Sequence, residues 1–101
     1  MIYLTALLFV KQGKETVFQE YENTVLPILK EYKGVLMYRL RPTSENYIGN
    51  STDEQPYEIH LLSFPSDHDF KNYLEDSKRI SFNHLKDESI KSSYLYKGEK
   101  L

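Results

Sequence analysis

Residues 56–85 read PYEIHLLSFPSDHDFKNYLEDSKRISFNHL. The run from Tyr57 to Phe64 is rich in aromatic and branched side chains, the composition of a strand. Side chains alternate across a strand, so Tyr57, Ile59, Leu61 and Ser63 share one face. Glu58, His60, Leu62 and Phe64 share the other. Pro65 cannot donate to a ladder and ends the strand. Ser66 is an N-cap, with Asp69 three residues on in capping-box spacing. Asp67 and Asp69 also sit at the positive end of the helix dipole. Phe70, Tyr73 and Leu74 then form an apolar helical stripe. Asp76-Ser77 reads as a break and a new cap, opening a second helical segment over 78–90 with Phe82 and Leu85 on one side.

Working outward, residues 2–10 (IYLTALLFV) are almost continuously apolar and stop at Lys11-Gln12-Gly13-Lys14, a turn. A strand this apolar predicts burial on both faces. Helices of a small α+β domain cover one face of a sheet, so the other face needs a cover, and a second copy of the sheet is the simplest. Val17, Phe18, Tyr21, Val25, Ile28, Leu29 and Tyr32 recur at three- and four-residue steps and predict a helix over 14–32. Pro27 predicts a kink or restart within it. Gly34 is the expected helix stop. Residues 35–41 (VLMYRLR) predict a strand in which Val35, Met37, Arg39 and Arg41 alternate with Leu36, Tyr38 and Leu40. Pro42 ends it, 43–55 form a long polar loop, and 93–97 a short last strand before a loose tail. The order β-α-β-β-α-(α)-β is the split βαβ pattern: an α+β domain with one four-stranded antiparallel sheet and helices on one face.

The chain has 101 residues, a net charge of −2, no cysteine, nine Tyr and five Phe. One domain spanning 1–101 fits this length. Mean hydropathy is −0.60, and no run approaches the ~20 apolar residues of a membrane span. MIYLTALLFV lacks the basic start and small-residue cleavage site of a signal peptide. Absence of cysteine excludes disulfides and fits a reducing cytoplasm. A slightly acidic chain without a basic patch speaks against a nucleic-acid surface. Neither nucleic acid nor membrane is therefore expected as a partner.

Two stretches carry a resemblance. VLPILKEYKG places a Pro late in the first helix and a Gly before the next strand. LLSFPSDHDFKNYLEDSKRISF gives strand, Phe-Pro, aromatic helix and helical extension. Together they resemble the ferredoxin-like dimeric α+β barrel superfamily, above all its small single-domain families of unknown function. That superfamily also includes antibiotic-biosynthesis monooxygenases, muconolactone isomerases and haem-degrading enzymes. The resemblance implies a homodimer packed sheet to sheet and a small-molecule pocket between sheet and helices. It implies no particular reaction, because the fold carries many.

The candidate chemistry is sparse. Glu58 and His60 share a face, and a carboxylate can fix an imidazole's tautomer for general-base work; the pair could equally satisfy an interface. Arg39 and Arg41 could hold an anion by bidentate hydrogen bonds. They could also pair with Glu58 on the neighbouring strand or with a partner's acids. His60, His68 and His84 stand 8 and 16 residues apart, unlike the short spacing of a zinc site, so no metal is expected. Tyr21, Tyr38 and Tyr73 lie on elements that pack together and could contact an aromatic ligand, and His84 is a further ligand-binding candidate that could act as an axial haem ligand on a helix or simply be a core or surface histidine. No glycine-rich phosphate loop or G-x-S-x-G is present, and no cofactor is expected. The expected function is binding of a small aromatic or lipophilic molecule, either by a cofactor-independent monooxygenase or isomerase with His60, Arg39 and Tyr38 as its polar groups, or by a non-enzymatic accessory protein.

Overall fold

The computed structural model describes residues 1–49 and 53–101. Strands β1 (Ile2–Val10), β2 (Val35–Leu40), β3 (Glu58–Phe64) and β4 (Ile90–Gly98) form one antiparallel sheet in the order β2-β3-β1-β4. Helices α1 (Glu15–Val25), α2 (Asp67–Leu74), α3 (Ser77–Ser81) and α4 (Asn83–Ser89) join them, and a 3₁₀ segment, Leu26–Tyr32, continues α1. None of these helices is long and apolar enough to cross a membrane. The β-α-β-β-α-β order expected from the sequence holds. The last strand is longer than the predicted 93–97, and the second helical segment divides at Phe82 into α3 and α4.

Registers define the two faces. Cross-strand rows Leu36–Leu62–Leu4–Lys97 and Arg39–His60–Ala6–Leu95 lie on the side that carries the helices. There Leu4, Leu62 and Phe64 pack with Ile28, Leu29 and Tyr73 as the hydrophobic core. Rows Tyr38–Leu61–Thr5–Tyr96 and Leu40–Ile59–Leu7–Tyr94 lie on the opposite side. Among the described residues no helix covers that side, and Tyr38, Leu40, Tyr94 and Tyr96 are exposed there. The shape agrees: the Cα trace is a slab of 38 × 36 × 16 Å with a radius of gyration of 14.1 Å, against about 13 Å for a compact chain of this length. β1 is thus buried on one face and half-buried on the other, not enclosed on both.

Capping follows the sequence. Ser66 Oγ accepts from the Asp69 backbone N–H at 3.2 Å, and Asp76 Oδ1 accepts from the Arg79 backbone N–H at 2.9 Å. Pro27 lacks an N–H, so the α-ladder cannot run through it, and the chain tightens into the 3₁₀ segment.

Two sequence expectations are corrected here. The strand-two alternation is broken by an irregularity between Leu36 and Tyr38. Leu36, not Val35 or Met37, therefore shares the helix side with Arg39. The helix stop is also displaced by one residue. Lys33, with φ 61°, takes the left-handed position, and the Gly34 N–H closes on the Leu29 carbonyl at 2.9 Å. Gly34 is required for space instead. A Cβ there would stand 2.7 Å from Phe64 Cε1 and 2.9 Å from Leu29 Cδ2. Gly34→Ala is therefore expected to destabilise the protein by about 1–3 kcal/mol through overpacking. A urea midpoint equal to that of the wild type would contradict this.

Candidate functional site

Strand parity places Glu58 and His60 two residues apart on the helix side of β3, beneath α1. Glu58 is 0% exposed and His60 4%. On the neighbouring strand, Arg39 Nε donates to Glu58 Oε2 at 2.9 Å, and Arg41 Nε donates to Glu58 Oε1 at 2.7 Å. His60 Nε2 meets Glu58 Oε2 as well. Burial alone would raise the Glu58 carboxyl, but hydrogen bonds from His60, Arg39 and Arg41 outweigh it and hold the group at about 2. A carboxylate only accepts, so Nε2 of His60 carries its hydrogen and Nδ1 is left to accept or take a second proton.

Helix α1 closes the array from above. Gln19 Oε1 accepts from Nη2 of both Arg39 and Arg41. Three residues on, on the same side of the helix, Glu22 brings Oε2 to 3.7 Å from His60 Nε2. Glu22 is 3% exposed, and its Oε2 is buried without a hydrogen-bond partner. Burial pushes this carboxyl up to about 7, with Glu58 reinforcing the shift and His60 opposing it. The two carboxyls thus lie on opposite sides of their ordinary value within one buried cluster, the condition that separates a proton carrier from a fixed anion.

Ligand atoms of Glu22, Glu58 and His60 fall within 4.8 Å of one another. Both Glu58 oxygens are nevertheless occupied by guanidinium N–H groups. Two adjacent cations would oppose a metal ion at Glu58.

Beside the cluster lies a cavity of about 190 Å³ whose wall includes His60, Glu22, Tyr21, Tyr73, Leu62 and Phe70. A cavity of about 150 Å³ holds a benzene ring, so this one accepts a single ring with a small substituent. Burial raises the Tyr21 and Tyr73 phenols, which stay neutral and able to donate. Glu22 also borders a larger open groove of about 580 Å³ between the 3₁₀ segment and β2.

The structure therefore brings together His60, Glu58, Arg39, Tyr21 and Tyr73. Tyr38 is placed elsewhere: its row faces the open side of the sheet, away from His60. His84 is exposed on α4, its ring 6.4 Å from Phe82 and apart from the cluster. Glu22, Gln19 and Arg79 complete the surroundings although the sequence singled out none of them strongly. For Glu22 a signal existed: it stands four residues after Phe18 and three before Val25, a carboxyl on the apolar stripe of α1.

No family model and no curated protein matches the chain. Solved structures do. A protein of unknown function from Rhodopseudomonas palustris superposes with a TM-score of 0.84 at 13% identity, covering 99% of this chain and 82% of its own. The chain has the ferredoxin-like α+β fold. A Nitrosomonas europaea protein with the provisional name antibiotic biosynthesis monooxygenase superposes at a TM-score of 0.74 and 13% identity, covering 100% and 99% of the two chains. A third, from Bacteroides fragilis, is described as a dimeric protein of unknown function with a ferredoxin-like fold; its TM-score is 0.69 at 11% identity, over 98% and 95%.

Proposed function

We propose that the chain is a homodimeric, cofactor-independent enzyme that moves a proton on a small aromatic or lipophilic molecule held in the 190 Å³ cavity. The observation that carries this reading is Glu22: a buried carboxyl, unpartnered at Oε2 and raised to about 7, beside His60 on an apolar cavity wall. A carboxyl poised near neutrality can take a proton from one carbon of a bound substrate and return it to another, which is isomerase chemistry. His60, with its hydrogen fixed on Nε2 by Glu58, supplies a dipole and a second basic site. Glu58 is the fixed anion, held down by Arg39 and Arg41.

The open sheet side supports the homodimer. Tyr38, Leu40, Tyr94 and Tyr96 present a broad apolar and aromatic surface that a second sheet would cover, and the Bacteroides fragilis protein of this fold is described as dimeric.

A non-enzymatic accessory protein is the second reading. It draws on the same array, in which Glu58, Arg39, Arg41 and Gln19 satisfy one another without any ligand. Native mass spectrometry separates the assembly question, with a dimer retaining a small-molecule mass as the expected result. Proton transfer is tested with a β,γ-unsaturated cyclohexenone, whose conversion to the conjugated isomer is followed by ultraviolet absorbance. Glu22→Gln is expected to slow it by about 10²-fold or more. A dimer that leaves this ketone unchanged, and exchanges no substrate proton in D₂O, would move the reading to the accessory protein.

A further inference from the structure

Arg79 lies at another part of the same cavity and takes no part in the Glu58 array. It belongs to α3, whose cap Asp76 fixes its backbone N–H. Its guanidinium carbon sits 4.8 Å from the centroid of the Tyr73 ring. Both residues line the cavity. The Arg79 Nε–H is buried and has no hydrogen-bond partner; elsewhere on the guanidinium the Tyr73 phenol oxygen accepts a hydrogen bond. A buried polar group left unpaired costs about 1–3 kcal/mol, more when charged. The Lys86 ammonium group belongs to a second cationic side chain on this wall. Against these two cations the wall offers, among the described residues, one carboxyl, that of Glu22, whose opposite neighbour is His60. The apolar walls Leu62 and Phe70 complete a chamber that is apolar in the middle, with proton chemistry at Glu22 and His60 and a cationic donor at Arg79.

We propose that the molecule bound in this cavity is a small aromatic monoanion, its ring against Phe70 and Tyr73 and its carboxylate accepting from Arg79, with Lys86 adding positive charge. The assignment rests on the cavity reading above and names its substrate class. An arginine stacked on a ring has a guanidinium that is held in plane and ready to donate, which suits a carboxylate better than a flexible ammonium would. One charge-assisted hydrogen bond is worth a factor of about 10- to 100-fold in affinity.

The test compares benzoate with benzamide, its neutral counterpart of the same shape, on the intact protein by heteronuclear NMR titration. Benzoate is expected to bind about 10- to 100-fold more tightly, shifting the resonances of His60, Tyr73 and Arg79. Arg79→Gln should remove that preference, and Arg79→Lys should restore part of it. Because the wild-type comparison needs no variant, the outcome does not depend on how the variants fold. Equal binding of the two probes at these residues would overturn the anion assignment and leave the cavity reading standing. Failure of both probes to perturb them would overturn both.

Discussion

At about pH 8, the Glu22→Gln protein is expected to be more stable than the wild type by about 3 kcal/mol, and at about pH 4 to differ little from it. The Glu22 carboxyl rises from an ordinary 4.5 to about 7 on folding, chiefly because it is buried. Below 4.5 both folded and unfolded chains hold the proton, so the residue contributes nothing to the pH dependence. Between 4.5 and about 7 the unfolded chain releases its proton while the folded chain keeps it. Stability is therefore lost as pH rises through this window, and the loss is complete above it. A shift of this size corresponds to about 3 kcal/mol at 1.36 kcal/mol per pK unit. Gln reproduces the shape of the protonated acid and cannot ionise. The difference between the two proteins should thus grow from near zero to its full value across the window, read by urea denaturation at a series of pH values. A difference that stays constant with pH would mean that Glu22 ionises in the folded protein as freely as in water. The same substitution is expected to slow proton transfer by about 10²-fold or more, so a variant that is both more stable and slower would mark a carboxyl held in an unfavourable environment for its chemistry.

How much of this was legible in the sequence depended on whether the signal was local. β3 was readable because period-two alternation, Pro65 and the Ser66 cap all act within a few residues, and they correctly set Glu58 and His60 on one face. Pro27 was readable for the same reason: its missing N–H acts where it stands. The Arg39–Glu58 contact followed from strands two and three being neighbours, and was one of the alternatives the residues allowed. Tyr38 was grouped with Arg39 and His60 although adjacent residues of a strand face opposite ways, and the structure keeps it on the other side; the pairing irregularity at Met37, which moves Leu36 to the helix side, depends on a partner strand and leaves no periodic trace. Gly34 was assigned to the helix stop when its role is to admit Phe64, a residue thirty positions away in the chain. Arg79 was invisible for a related reason. It sits on a five-residue helix, too short for an apolar stripe to show which side faces inward, and only the tertiary arrangement puts it against Tyr73.

Replacing both Arg39 and Arg41 by Met is expected to cost about 3–5 kcal/mol near neutral pH, because it leaves Glu58 as a buried carboxylate facing only His60. Glu58 is 0% exposed while the two arginine side chains are 29% and 41% exposed, so the anion depends on the cations far more than they depend on it. Met preserves much of the aliphatic packing of the arginine stems, which confines the loss to charge. Each single substitution leaves the other guanidinium in place, so the two effects should not add. The pH dependence supplies the sign. In the wild type Glu58 is held at about 2 against an ordinary 4.5. Its stabilising contribution is therefore full above 4.5 and disappears as pH falls through that value toward 2. Without the guanidinium groups burial dominates and the carboxyl moves upward, so acidification should stabilise the double variant over the range in which it destabilises the wild type. Urea midpoints measured between about pH 3 and pH 7 would show the two curves converging, and parallel curves would contradict the assignment of the shift to Arg39 and Arg41. Adding Glu58→Leu to the double variant removes the stranded charge and is expected to recover most of the loss, since apolar replacement of a whole buried ion cluster is often neutral or stabilising. A stable triple variant that no longer isomerises the test ketone would separate the two roles of the array: the fold does not need it, and the acid–base pair of Glu22 and His60 does.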